Sequence, residues 1–503
     1  MNKKLVACIL ALSATMVACG ENSNNKGQET QIQSTQQKKN ESQLTKEQIN
    51  KIIPELSKKT KSILIDNSDK IDKKFDMKNT QVLLVSNISK TAYLINGQDE
   101  KYGKKEEAVE YSTDTLKDKG LLTIPYGLAE FNGKQTYLFN IDFMAETSLL
   151  GNQDSMAKVP LENDLMKAIV HEGVHLILQR SLEGGKVTTS EETMSGARAG
   201  NYPVLYDARI IRTQNSYYYK KALESKNEED RIKYIKMGNY FYKKYLDMDK
   251  EHKNETVFDK LEGQAQYLEY RAVAVSNNLD KDENTVKAET KKIYLNENKD
   301  LKDEFLVAGS KNSEFYTLGS LAYANIYDMN QEKELNYNNP LQYLLDKYGY
   351  IENEGDKEIS DKVKKYYDEI NTKLKNSIDE INSKVNNDKY IKIKIPVLQK
   401  YSENASVMGE DAPIQYKYND ENAQIEKNSQ EVRIGDNRIK LKSATMVTTN
   451  GSEQDGIINN MYVFIPKENV EINKDKLTVQ TKEVQIYDAN FIEEKGVYKL
   501  VEK

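Results

Sequence analysis

The spacing of apolar positions changes character several times along the chain, and each change predicts a different element. Ile49, Ile52, Ile53, Leu56 and later Ile63 and Ile65 follow a helical period and predict helix from about Leu44. Between residues 80 and 146 the runs Val82–Val85, Ala92–Ile95 and Thr136–Phe143 are short and β-prone, broken by Asn96-Gly97 and Asn132-Gly133. They predict strands. Leu165, Met166, Ala168, Ile169, Val170, Val174, Leu176, Ile177 and Leu178 predict a buried helix, with Asn163 or Asp164 as its cap after Pro160. Helical spacing returns through Ala208, Ile211, Tyr218, Leu223, Ile235, Phe241 and Leu246, and again through Ala265, Leu268, Ala272 and Val273. From Ile359 to Val385 a narrow apolar stripe runs through a highly charged segment, as in a long amphipathic helix. From Tyr390 the period becomes two, in Ile391/Ile393/Ile395, Val432/Ile434, Ile439/Leu441, Val463/Ile465, Leu477/Val479 and Val484/Ile486. Gly435-Asp436-Asn437 and Asn459-Asn460 are predicted turns. The pattern is that of an α+β protein: a mainly helical domain with a small sheet over 46–350, a connecting helix over 351–388 and an antiparallel β domain over 389–503.

The N-terminus has a different logic. Lys3 and Lys4 precede a short apolar run, Leu5 to Leu12, and then small residues up to Cys19. That is a secretory signal over residues 1–18, too short for a permanent membrane span. Met16-Val17-Ala18-Cys19-Gly20 resembles the lipobox of bacterial lipoproteins, which implies cleavage before Cys19, a lipid on its thiol and a cell-envelope protein held to the membrane. Cys8 and Cys19 are the only cysteines, so the mature chain has no internal disulfide. Residues 19–45 are almost wholly polar and predict a flexible tether.

Composition narrows the partners. Charged residues make up 30% of the 503, with both signs interspersed and a formal net charge of -6. There is no basic block, which argues against nucleic acid as a partner. The 33 tyrosines and absence of tryptophan accord with AT-rich coding and identify no chemistry.

Candidate chemistry centres on His171-Glu172-Gly173-Val174-His175, which uses two of only three histidines. Imidazoles four apart share one helix face and can bind one metal ion, and the intervening glutamate then stands where a general base is needed. A hydrolytic metal site needs a third protein ligand and an open position. Glu262, at the start of a helical pattern and followed by a glycine that permits close approach, is the first candidate. His252 lies in a charged run that predicts a solvated helix end or loop. An oxyanion donor is also required, and Tyr316 and Tyr323 on a small-residue helix are candidates. Arg209 and Arg212 either grip a substrate carboxylate or, the preferred reading, pair with Asp207 and other acids. Gly184 to Gly200 predicts a mobile loop that roofs the cleft. Strand 136–143 is either an edge that holds extended substrate or an ordinary core strand.

His171-Glu172-x-x-His175 with Glu262-Gly263-x-Ala265-x-Tyr267 downstream resembles the gluzincin metallopeptidases over roughly residues 161–275. The resemblance implies Zn²⁺ held by His171, His175 and Glu262, Glu172 as base and proton shuttle, and a peptide or protein substrate. His175 and Glu262 stand 87 positions apart, a longer gap than in the thermolysin-like branch. Glu269, and more weakly Glu191, Glu192 and His252, therefore stand as alternative third ligands. A binding lipoprotein with a structural zinc, and a zinc amide hydrolase acting on a non-protein envelope substrate, are the other functional classes.

Overall fold

The computed structural model describes residues 45–97, 109–116, 126–142, 161–182, 200–203, 206–248, 250–297, 313–335, 337–385, 387–398, 407–409, 414–418 and 421–502. The fold is α+β, as the periodicities predict, and the chain divides into two compact units. One comprises residues 1–194 and 210–360; the other comprises 195–209 and 361–503.

The first unit is built on a five-stranded sheet and a set of helices. Helix α1 (Lys46–Thr60) starts at Thr45, which exchanges capping bonds with Gln48. Strands β1 (Gln81–Ser86), β2 (Thr91–Ile95), β3 (Val109–Ser112), β4 (Tyr126–Phe131) and β5 (Lys134–Asn140) lie in the order β3-β2-β1-β5-β4. Only the β1–β5 pair is parallel; the others are antiparallel. Alternation sorts the side chains. Val82, Leu84, Tyr126, Tyr137 and Phe139 join the helical core, whereas Leu83, Val85, Leu94, Phe131 and Leu138 form a small cluster of their own. Strand β5 is therefore a core strand, and among the described residues β4 forms the edge beside it.

Helix α2 (Leu161–Gly173) carries the histidine motif and continues as a π-helical turn, Val174–Gln179. Leu165, Met166, Ile169, Val170, Val174 and Leu178 are buried. Asn163 and Asp164 do not cap this helix: both lie inside its first turn, and the side-chain Oδ1 of Asn163 accepts from the Lys59 ammonium at 3.0 Å. The helix is fixed to the sheet by Tyr137, whose hydroxyl donates to the Ile169 carbonyl at 2.9 Å. Behind it follow α3 (Tyr206–Glu224), α4 (Glu228–Leu246), α5 (Lys250–Asn277), α6 (Glu283–Glu297), α7 (Ser313–Asp328) and α8 (Pro340–Tyr348). Helices α5 and α7 cross at glycines. A Cβ on Gly263 would meet the Gly319 backbone at 2.4 Å, and one on Gly319 would meet the Asp259 carbonyl oxygen at 2.1 Å.

The second unit is a sheet of eleven strands, with helix α9 (Lys357–Val385) contributing Ile378 and Ile381 to a cluster with Ile425, Val447 and Phe464. Its strands are mostly antiparallel, but β10 (Val497–Leu500) pairs in parallel with β7 (Tyr390–Leu398). Two residues from far upstream, β6 (Gly200–Asn201), add in parallel to β8 (Ile414–Tyr418). The hairpin at Gly435 forms where expected. Asn459-Asn460 does not turn: both residues belong to β9 (Ile457–Pro466), and the side-chain amide of Asn460 donates to the Asn450 carbonyl at 3.0 Å. No helix among the described residues is long and apolar enough to cross a membrane.

Candidate metal centre

Helical spacing turns the His171 and His175 rings toward each other, with Nε2 atoms 3.2 Å apart. Helix α5 brings in a carboxylate: Oε2 of Glu262 lies 3.4 Å from the His171 Nε2 and 3.3 Å from the His175 Nε2. These three residues form a group able to hold a metal ion. Glu269, the chief rival as third ligand, does another job. Its Oε2 lies 3.0 Å from Nδ1 of His171, on the far side of the ring. On His175 the corresponding partner is Oε1 of Gln179, at 2.9 Å from Nδ1.

These outer contacts set the protonation of the rings. Each Nδ1 faces an oxygen, so each carries the hydrogen, and each Nε2 is left with a lone pair. With both rings neutral, two nitrogen lone pairs and a carboxylate oxygen converge, an arrangement that repels itself unless a cation, whether a proton or a metal ion, stands between. The spacings test the fit. A tetrahedral ion with bonds of about 2.0–2.2 Å to imidazole nitrogen and carboxylate oxygen holds its ligand atoms about 3.3–3.5 Å apart. The donor set and its spacing match such an ion.

The electrostatics of the protein groups alone express the same demand. Burial works against a charged imidazole at His171, but Glu262 and Glu269 outweigh it and hold its pKa well above that of ordinary histidine. Burial likewise opposes charge on His175, and Glu262 again tips its pKa upward. At Glu172 burial raises the carboxyl pKa, the two imidazoles pull it down, and Glu262 and Glu269 push it up again, for a net rise. Glu172 is 4% exposed, and its Oε2 is buried with no hydrogen-bond partner among the described residues. Such an atom costs about 1–3 kcal/mol or more and calls for an explanation.

The tyrosines separate. Tyr316 stacks on His171, with ring centroids 5.7 Å apart. It reaches the centre because the Gly263–Gly319 crossing brings its helix against that of Glu262. Tyr323 is not brought to the centre. Two turns further along α7 its hydroxyl is buried without a hydrogen-bond partner among the described residues, and burial, then Tyr337 and Asp72, raise its pKa. The periodicity did not single out another tyrosine, Tyr126, whose phenol feels the charges of Glu172 and Glu262. Tyr126, on edge strand β4, shares a sheet face with Tyr137, and its phenol pKa is raised well above normal by burial, then by Glu172, Tyr316 and Glu262.

Arg212 is a structural cation. Its Nη1 donates to Asp259 at 2.8 Å, its Nη2 donates to the other oxygen of the same carboxylate, and its Nε donates to Glu314 at 3.1 Å. Tyr245 and Phe315 cover the guanidinium. It ties α5 to α7 close to the centre; Arg209 is also buried. His252 lies in the first turn of α5, roughly 15 Å of helix axis before Glu262. Glu191, Glu192, most of the predicted loop at 184–200 and Cys19 lie outside the described residues. Comparison with family models, curated proteins and solved structures finds no match, so the functional reading rests on this geometry and on the motifs that build it.

Proposed function

We propose that the chain is a zinc metallopeptidase of gluzincin type, with His171, His175 and Glu262 as metal ligands. The observation that carries the reading is the pairing of three convergent lone-pair donors with a buried, unpartnered glutamate oxygen beside them. Bound Zn²⁺ supplies Lewis acidity and lowers the pKa of water at the site. Glu172 accepts the proton released when water attacks the scissile carbonyl and returns it to the leaving amine. Its free oxygen suits that task, because a base already engaged in a hydrogen bond would first have to break it. Tyr316 and Tyr126 supply phenolic hydrogens toward the oxyanion side. Strand β4 offers main-chain donors and acceptors to an extended peptide at the sheet edge, which supports a peptide as substrate. The signal and lipobox at Cys19 support action at the cell envelope, tethered to the membrane by lipid.

The test is Glu172→Gln. It keeps shape and metal while removing the base, so one zinc per chain is retained and hydrolysis of a peptide library falls by about 10²–10⁴-fold or more. Hydrolysis at the parental rate would overturn the reading.

A further inference from the structure

Gln179 faces two ways. Its Oε1 takes the hydrogen on Nδ1 of His175 at 2.9 Å, while its Nε2 donates to the Leu261 carbonyl at 2.8 Å and to Oε1 of Gln264 at 3.2 Å. The residue is 4% exposed, so water does not offer substitutes for these bonds. Leu261 immediately precedes Glu262. The carboxamide has a fixed donor end and a fixed acceptor end. Because two acceptors on α5 claim the nitrogen, the oxygen must face His175. That in turn places the ring hydrogen on Nδ1 and leaves Nε2 free to coordinate.

We infer that Gln179 is a positioning residue that couples the two halves of the metal centre: one amide sets the tautomer and orientation of His175 and holds the main chain that presents Glu262. This inference rests on the metal-centre reading and does not depend on peptidase activity. His171 has no equivalent device, since its partner Glu269 is itself on α5 and only accepts. His175 and its orienting amide both belong to the π-helical turn Val174–Gln179, and such turns recur at functional sites.

Two substitutions separate the roles. Leucine at the position neither accepts nor donates. Glutamate accepts from His175 but has no hydrogen for the Leu261 carbonyl. On the full chain, Zn²⁺ affinity is measured by chelator competition and the metal-free Tm by thermal unfolding. Gln179→Leu is expected to weaken Zn²⁺ binding by about 10–100-fold and to lower the metal-free Tm. Gln179→Glu is expected to lower the Tm similarly while losing less affinity, because the acceptor for His175 is kept. Unchanged affinity in Gln179→Leu, or equal affinity losses in the two variants, would overturn the coupling. With only three histidines in the chain, ¹⁵N-histidine spectra of the zinc-loaded parent give a second readout that needs no variant. A slowly exchanging Nδ1–H on His175 is expected, and metal on Nδ1 would sink the inference. A parent that binds no zinc defeats the metal-centre reading itself, whereas a parent that binds it with an indifferent leucine variant defeats only the role of Gln179.

Discussion

Among the described residues, the β-sheet core within 390–502 is aliphatic. Ile393, Ile439, Met446, Val463, Leu477 and Ile486 fill it, and its buried polar residues, Thr448, Thr449, Asn460 and Asn490, are neutral. The helical region buries His171, Glu172, Arg212, Asp259, Glu262 and Arg271 instead. Charge taken out of water costs several kcal/mol per ion unless it is paired, so the contrast marks where the chain tolerates that cost. Within the helical region the contrast repeats on a smaller scale. Arg212 and Asp259 satisfy each other in a two-pronged pair, as scaffolding does, whereas Glu172 keeps an unpartnered oxygen. Paired buried charge holds helices together; unpaired buried charge points to chemistry.

Four variants test how deep that distinction runs. The largest effect falls on the metal itself: Glu262→Ala removes the convergent carboxylate, and zinc per chain measured by metal analysis drops from near one to near zero, while His252→Ala stays near one. The reverse pattern would reassign the third ligand. Next, Arg212→Ala leaves the fully buried Asp259 carboxylate without its cation, and chemical denaturation should show a loss of about 3–5 kcal/mol. A loss under about 1 kcal/mol would mean that the pair is not scaffolding. Gly263→Ala forces α5 and α7 apart where a Cβ has no room, with a cost of about 1–3 kcal/mol and a matching fall in zinc affinity as Glu262 shifts. Unaltered zinc affinity there would uncouple the helix crossing from the centre. Smallest is Tyr323→Phe. It deletes a buried hydroxyl that has no hydrogen-bond partner among the described residues, so stability stays within about 0.5 kcal/mol or rises slightly and hydrolysis is unaffected. A loss of turnover in this variant would return Tyr323 to the active site.

The parts legible in the sequence are those governed by local period. The steps from Ile359 to Val385 fall within α9, the alternation at Ile391/Ile393/Ile395 falls within β7, and the four-residue spacing of His171 and His175 places both rings on one face. Glu262 was legible for a related reason: the glycine beside it announced a close approach, and Gly319 is what approaches. The misreadings occur where partners distant in sequence decide. Asn459-Asn460 has turn composition, yet pairing with β7 keeps it extended. Tyr316 and Tyr323 look alike on one helix, but only the first is turned to the centre.

By itself, then, the sequence determined the α+β class, the histidine pair able to share a metal and the residues that could join it, because backbone geometry converts spacing into a shared face without reference to anything else. Only the tertiary structure decided that Glu262 approaches the two Nε2 atoms while Glu269 takes the opposite side of the His171 ring, that Gln179 bonds His175, and that Tyr316 stacks on His171. Those assignments depend on which helix crosses which and at what angle. Such crossings are set by packing among residues tens to hundreds of positions apart, whose contacts leave no periodic trace in the chain.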